Sequence, residues 1–496
     1  MAGPMNMQTM TLHPQRLLVL VAFVAAVIFT IVSIASPAQS SLVEVDAAEK
    51  ANLLTPTEEQ AAAESEMPMQ EVIQEIRVER DKSVTQTVDE GKCLNPYSQK
   101  GFIWFPNDKE ETDTTYVPFY PGMLEQPFAS IWNEDGTPTD PTINGDRYYP
   151  DDRPPYDLMA TAPHRWMQDF RRHYILLQKS RGNTVSDDDD SDAALANPRK
   201  PIYTKLEEAE LQALEERLSW IRNTRVLIVS DSVDRYQATF MCDRFGEALV
   251  TGPTGHQTAS WCHVPYWNFT VTNWHISSTS TTRPDWWWLK NMAVVPFERR
   301  WKEFYQGSVR DVIGMNGKSP DLLIFQTGIW DHKMFVTGRR AKDNAVDFNY
   351  QRSLNWREMR FYMQRVRKII GMMRSTFGDD VPLLFRVTTL RQGDFENVGI
   401  HNIIRAARFV SRELNIEVME FGSLVQGYFQ FYIDQLHVGK GPLSVLWSNM
   451  MFWYLFRTQG GIEVKGELMK LPEPQEQKNV VQNWKLCHDV FMNDPK

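Results

Sequence analysis

The stretch Arg225–Arg235, RVLIVSDSVDR, constrains this chain more than any other. Val226, Leu227, Ile228 and Val229 form a short apolar run rich in β-branched residues, long enough for one buried strand. The run stops at Ser230-Asp231-Ser232, and Val233, Tyr236, Phe240 and Met241 then recur at near-helical spacing. A strand that breaks on small polar residues and turns into a helix sets their side chains at the edge of a sheet. The first N–H groups of that helix lack intrahelical acceptors and can stabilise an oxyanion. Taken alone, Asp231 or Ser232 reads equally well as a helix N-cap.

A second stretch lies two hundred residues on, at Phe431–Gly439, FYIDQLHVG. Asp434 and His437 stand three apart, just before Gly439, Gly441 and Pro442, which mark a loop. A serine hydroxyl needs a base to become a nucleophile, and a histidine base needs an orienting carboxylate. Of the ten histidines, only His437 has an aspartate three positions before it. The motif is weak alone, and its uniqueness in the chain gives it weight.

The two stretches resemble the SGNH/GDSL hydrolase superfamily: Ser230-Asp231-Ser232 followed by Arg235, then Asp434-x-x-His437 near the C-terminus. Within it they resemble the PC-esterase branch, which includes plant trichome-birefringence-like polysaccharide O-acetyltransferases and the lumenal domain of sialic-acid O-acetyltransferases. Pro320–Asp331, PDLLIFQTGIWD, resembles the strand and turn of that family's third motif block. The resemblance runs in scattered blocks over roughly residues 92–458. It implies Ser232 as nucleophile, His437 as base and Asp434 as the carboxylate that holds the imidazole tautomer. It also implies an oxyanion or substrate site at Ser232, Gly328, Trp330 and Arg235. The Ser232 N–H is one oxyanion donor, and a further donor is expected from the loop after Cys242, at Gly246 or Gly252.

Two positions depart from the family pattern. Ser230 stands where glycine is usual, which a serine can fill if its φ is negative. Trp330 stands where hydrolases of the wider superfamily carry an oxyanion-hole asparagine, although the PC-esterase branch tends to have an aromatic there. The implied function is acyl, in particular acetyl, transfer to or from glycan hydroxyls through an acyl-serine, most simply as a polysaccharide O-acetyltransferase. A glycan O-acetylesterase and a catalytically silent glycan-binding or scaffold protein of the same fold are the alternatives. No bound cofactor is expected, and an acetyl donor, of which acetyl-CoA is one source, enters as substrate.

The N-terminal part carries a different signal. Leu17–Ala35 is nineteen residues without a charge, long enough to cross a bilayer and longer than a signal-peptide core. Arg16 precedes it and Glu44, Asp46 and Glu49 follow, which favours a cytoplasmic tail at 1–16 and a lumenal body. A cleaved signal near Ala35–Ala38 is the rival reading. The expectation is a single-pass type II protein of the Golgi or another secretory-pathway membrane. Residues 36–91 are rich in Ala, Glu, Gln, Ser and Thr with few aromatics, and read as a stalk. Aromatics arrive at Tyr97, Phe102, Trp104 and Phe105, so the folded domain is placed at 92–496.

Within that domain, 101–165 reads as irregular loops and Asp187–Asp190 as an exposed loop without an EF-hand's glycine and glutamate. Helices are expected at Thr204–Ile221, Leu354–Thr376, Asn402–Leu414 and Leu443–Phe456. Strands are expected at Val226–Val229, Leu322–Gln326, Pro382–Thr388 and Glu417–Glu420. This alternation predicts an α/β fold with a mainly parallel sheet covered on both faces and the site at the strands' carboxyl ends. The family resemblance sharpens that to an SGNH-like three-layer fold with loop-rich insertions and one N-terminal transmembrane helix.

Four cysteines, Cys93, Cys242, Cys262 and Cys487, show no metal-ligand spacing. In a lumenal body disulfides are permitted, and Cys242–Cys262 is the favoured pair, with Cys93–Cys487 as its complement. Asn268-Phe269-Thr270 is the sole glycosylation sequon. Tryptophans at 261, 267, 274 and 286–288 fit either sugar stacking or core packing. A net charge of −10 with dispersed Lys and Arg argues against nucleic acid as a partner, leaving a glycan and the membrane.

Overall fold

The apolar run becomes a central strand, β3 (Arg225–Ser230), of a seven-stranded sheet. The computed structural model describes residues 95–105, 111–119, 162–183, 203–252, 259–280, 296–302, 305–306, 319–343, 353–391, 398–461, 463–464 and 467–468. The chain divides into two units, Met1–Asp81 and Lys82–Lys496, and every described residue lies in the second. The segment 17–35, the stalk, Asp187–Asp190, Trp286–Trp288, Cys93 and Cys487 lie outside the described residues. Among the described residues no helix is long and apolar enough to cross a membrane.

Before the main sheet, β1 (Gly101–Trp104) and β2 (Thr115–Pro118) pair as an antiparallel ribbon. This corrects the reading of 101–118 as irregular loop: each strand has four residues, GFIW and TYVP, too few and too uniformly apolar to show a period of two. The main sheet adds β4 (Val250–Thr251), β5 (Ala259–Val264), β6 (Phe269–His275), β7 (Leu322–Phe325), β8 (Leu383–Arg386) and β9 (Glu417–Met419). Its order is β4-β5-β6-β3-β7-β8-β9. From β6 to β9 every pairing is parallel, whereas β4 and β5 are antiparallel additions at one edge.

Side chains alternate across the sheet as the pleat requires. Val226, Ile228, Leu322 and Ile324 face one apolar layer, and Leu227, Val229, Leu323 and Phe325 face another. The first layer is covered by α1 (Trp166–Ser180), α3 (Ser232–Arg244) and α7 (Pro442–Thr458), with α2 (Lys205–Arg217) outside on α1. The second is covered by α5 (Trp356–Phe377) and α6 (Val398–Glu413). Between β7 and α5 lies α4 (Ile329–Asp343). The result is three layers.

Local signals explain the boundaries. Thr204 and Glu207 form the reciprocal capping box that starts α2, and Asn355 with Glu358 does the same for α5. Helix α7 is buried at every residue from Leu443 to Thr458 and packs against both α1 and α3. A helix that is apolar all round belongs inside, so α7 is the core of that layer. Trp267 and Trp274 are buried in the two apolar layers, which removes them as sugar platforms.

A disulfide joins Cys242, in the last turn of α3, to Cys262 of β5, across a sequence separation of 20. It fastens the helix that begins at Ser232 to the antiparallel edge of the sheet. In the chain-entropy model, closing such a loop contributes about 3 kcal/mol. Replacing both cysteines with alanine is therefore expected to lower unfolding free energy by about that amount, read by denaturant titration. A loss below about 0.5 kcal/mol would show that the link adds nothing to the folded state.

Candidate active site

The site sits at the carboxyl end of β3. Ser230 is the last residue of the strand, and Asp231 is the N-cap of α3, its Oδ1 accepting the Val233 N–H at 3.0 Å. Ser232 is the first residue of the helix. With the Val233 amide taken by Asp231, the Ser232 amide is one of the N–H groups that the helix start leaves without an intrahelical acceptor. Ser230 is buried with no positive φ, and its Oγ accepts a hydrogen bond from Asn273 Nδ2 at 2.7 Å. Serine thus fills the glycine position without left-handed strain.

The Ser232 hydroxyl lies 2.7 Å from His437 Nε2, across 205 residues of sequence. On the far side of the ring, His437 Nδ1 lies 2.6 Å from Asp434 Oδ2. That network assigns the tautomer: Nδ1–H donates to the carboxylate, which leaves Nε2 to accept from the serine O–H. Asp434 Oδ1 meanwhile accepts the backbone amides of Leu436 and His437 at 2.7 and 2.8 Å. Burial pushes the Asp434 pKa up, but the hydrogen bonds from His437 and Leu436 outweigh it and hold the carboxyl below its ordinary value. A carboxylate kept ionised can stabilise an imidazolium as it forms.

Aromatic and charged groups back this row. The Tyr236 ring packs on the His437 imidazole at 4.8 Å between centroids, and the Arg235 guanidinium lies 4.9 Å over the Tyr236 ring. Arg235 is half-buried, and burial lowers its pKa. One strand over, Gln326-Thr327-Gly328 leaves β7 at the same end of the sheet, the Gln326 amide donating to the Val229 carbonyl. Gly328 has φ +153°, and an added Cβ would lie 3.0 Å from Thr388 Cγ2 and 3.2 Å from Ile403 Cγ2. Only glycine suits that turn. Trp330 follows at the start of α4, half-buried, with Lys333 Nζ 5.1 Å from its ring centroid.

The second oxyanion donor expected from the loop after Cys242 is not there. The Gly246 amide donates to the Asp243 carbonyl and the Gly252 amide to the Ala259 carbonyl, closing α3 and pairing strands respectively. Thirteen helical residues at 1.5 Å each also carry that loop about 20 Å from Ser232. Asn268 sits exposed with φ +48° in the turn before β6, its Nδ2 donating to Asn223 Oδ1. That turn leads into the opposite end of the sheet from Ser232.

Residues that motif reading passed over lie beneath the row. Asp234 and Arg386 form a salt bridge with Nε to Oδ1 at 2.7 Å, both side chains fully buried. Trp447 Nε1 donates to Asp234 Oδ1 at 3.0 Å, and Gln237 Nε2 to the Val438 carbonyl at 3.0 Å. Burial pushes the Asp231 pKa up, opposed by the nearby Arg386 guanidinium. The signal for these was present: Asp234 and Gln237 share the spacing of Met241 on the buried helix face, where a polar side chain must find a partner. The loops after β6 and β7 are joined by buried Asp331, which accepts from the Thr279 amide and hydroxyl at 2.9 and 2.6 Å and from the Thr327 hydroxyl.

No protein-family model matches the chain, and no curated protein matches it. Solved structures do. An acetylxylan esterase from Geobacillus stearothermophilus, Axe2, is 13% identical, with 48% of this chain and 96% of that chain covered and a TM-score of 0.28. The acetyl xylan esterase AlAXEase is 8% identical, with 46% and 98% covered and a TM-score of 0.27. LAE5, an alpha/beta hydrolase from the metagenome of Lake Arreo in Spain, is 12% identical, with 48% and 97% covered and a TM-score of 0.29. Each of these likenesses is at low sequence identity and spans somewhat less than half of this chain.

Proposed function

We propose that this protein transfers an acetyl group to or from a glycan hydroxyl through an acyl-serine, acting as a polysaccharide O-acetyltransferase. The observation that carries the chemistry is the Ser232–His437–Asp434 row at 2.7 and 2.6 Å. In this reading Ser232 Oγ attacks the ester carbonyl of the acetyl donor while His437 Nε2 takes its proton. The Ser232 amide and the amide at Gly328 receive the developing oxyanion. His437 then returns the proton to the departing group. A sugar hydroxyl gives its proton to the same imidazole and attacks the acetyl carbonyl. The bond from that carbonyl to Ser232 Oγ breaks, and His437 returns the proton to Ser232 Oγ as the acetylated sugar leaves. Arg235 and Trp330 flank the acceptor. Delivery of the body to a secretory lumen by residues 17–35 would put it among glycans.

Hydrolysis is the second reading. Ser232 is half-buried rather than sealed in, and the Asp434 side chain is 51% exposed, so in this reading water enters beside the row and resolves the same intermediate. The two readings share every step up to the acetyl-serine.

Intact-mass analysis after brief exposure to an activated acetyl ester tests that shared half. Wild type should gain one acetyl group, mapped to Ser232. His437→Ala should acquire it far more slowly, and Asp434→Asn should react at about 10- to 100-fold the His437→Ala rate, since the carboxylate orients the base without itself taking a proton. Acetylation mapped to another residue would sink the assignment. Adding a panel of glycans to the acetylated protein then separates transfer from hydrolysis.

A further inference from the structure

The acid–base half of the site is built as one closed loop. The Ile433 amide donates to the His437 carbonyl at 2.9 Å and the Gly439 amide to the Phe431 carbonyl at 2.8 Å. Tyr432 and Val438 pair as an isolated antiparallel bridge. With Asp434 Oδ1 accepting two amides from inside the loop, His437 is held firmly relative to Asp434. None of these bonds holds either residue relative to Ser232.

Two further contacts tie the loop to α3. One is the packing of Tyr236 on the imidazole, which is not directional in the plane of the ring. The other is directional: Gln237 Nε2 donates to the carbonyl of Val438, the residue after His437. Gln237 and Val438 are both fully buried, so bulk water cannot stand in for either partner. Ser232 and Gln237 are five residues apart on one helix, about 7.5 Å along its axis. Nucleophile and tether therefore share a rigid element.

We propose that Gln237 is a positioning residue whose hydrogen bond beside His437 keeps the imidazole in line with Ser232. This rests on the triad reading above. The side chain touches no reacting atom and acts only through the base. A reacting group displaced by about 1 Å can cost on the order of 100-fold in rate, so a tether of this kind has a large effect for one hydrogen bond.

Gln237→Leu removes the donor with little change in volume. It is compared with Ser232→Ala, His437→Ala and the double variant Gln237→Leu/His437→Ala by kcat and KM on an activated acetyl ester, with thermal melting alongside. The kcat of Gln237→Leu is expected to fall roughly 10- to 100-fold while KM changes less than about twofold. The downfield NMR resonance of the proton between His437 Nδ1 and Asp434 should persist, because that pair is closed within its own loop. Adding Gln237→Leu to His437→Ala should cause no further loss, since the tether works only through the imidazole. Should Gln237→Leu not fold, Gln237→Ala, which leaves room for water at the Val438 carbonyl, carries the same expectations. An unchanged kcat in the folded variant, an additive loss on top of His437→Ala, or loss of the fold in both Gln237 variants overturns the proposal. Activity retained by Ser232→Ala would instead overturn the triad itself, a result distinct from an inactive Ser232→Ala beside a fully active Gln237→Leu.

Discussion

Replacing Ser232 with alanine should reduce turnover of an acetyl ester by about 10⁴- to 10⁶-fold while leaving the melting temperature nearly unchanged. The substitution removes one half-buried oxygen whose hydrogen bond runs to His437, and it leaves the Asp231 cap and the buried face of α3 untouched. Residual activity would come from the oxyanion donors and from binding alone. In the proposed triad Ser232 and His437 act as a unit, so Ser232→Ala/His437→Ala should be little worse than Ser232→Ala. Steady-state kinetics on purified protein decides the matter. Full activity in Ser232→Ala would mean that another residue is the nucleophile.

The second large effect is on stability. Arg386→Met should destabilise the fold by about 3–5 kcal/mol, because it leaves the Asp234 carboxylate buried without its counter-charge. Trp447 Nε1 would be the main remaining donor to that group, and a neutral indole does not replace a guanidinium. The double variant Arg386→Met/Asp234→Leu should recover most of the loss, since burying an ion pair roughly breaks even against an apolar pair of similar volume. Denaturant unfolding of the two variants gives both numbers. A loss below about 1 kcal/mol in Arg386→Met would contradict a fully buried pair.

The strand β3, the capped helices α2 and α5 and the buried helix α7 were legible in the sequence, because each is set by a local pattern. The apolar run of 226–229, the Thr204–Glu207 box and the largely apolar stretch of 443–456, broken only by Ser444, Ser448 and Asn449, need no distant partner to be read. The spacing of Asp434 and His437 was legible for the same reason, since one turn of loop builds their contact. By contrast, the strands β5 and β6 carry Ser260, His263, Asn273 and His275 among their apolar residues, which blurs the alternation. Their pairing is decided by the neighbours they meet in the sheet. Asp234 with Arg386 is a contact across 152 positions, and no spacing rule reaches that far. The Gly246 and Gly252 donors failed for a geometric reason: the helix that starts at Ser232 carries the chain away from it.

The distance in sequence between Ser232 and His437 also fixes when the site can exist during synthesis. At about 5–20 residues per second, the ribosome needs roughly 10–40 s to go from the serine codon to the histidine codon. Through that interval the proposed nucleophile lacks its proposed base, and α7, the fully buried helix packed between α1 and α3, has not been made. On the proposed triad, a nascent or prematurely released chain ending before residue 437 would therefore carry Ser232 without the imidazole that activates it.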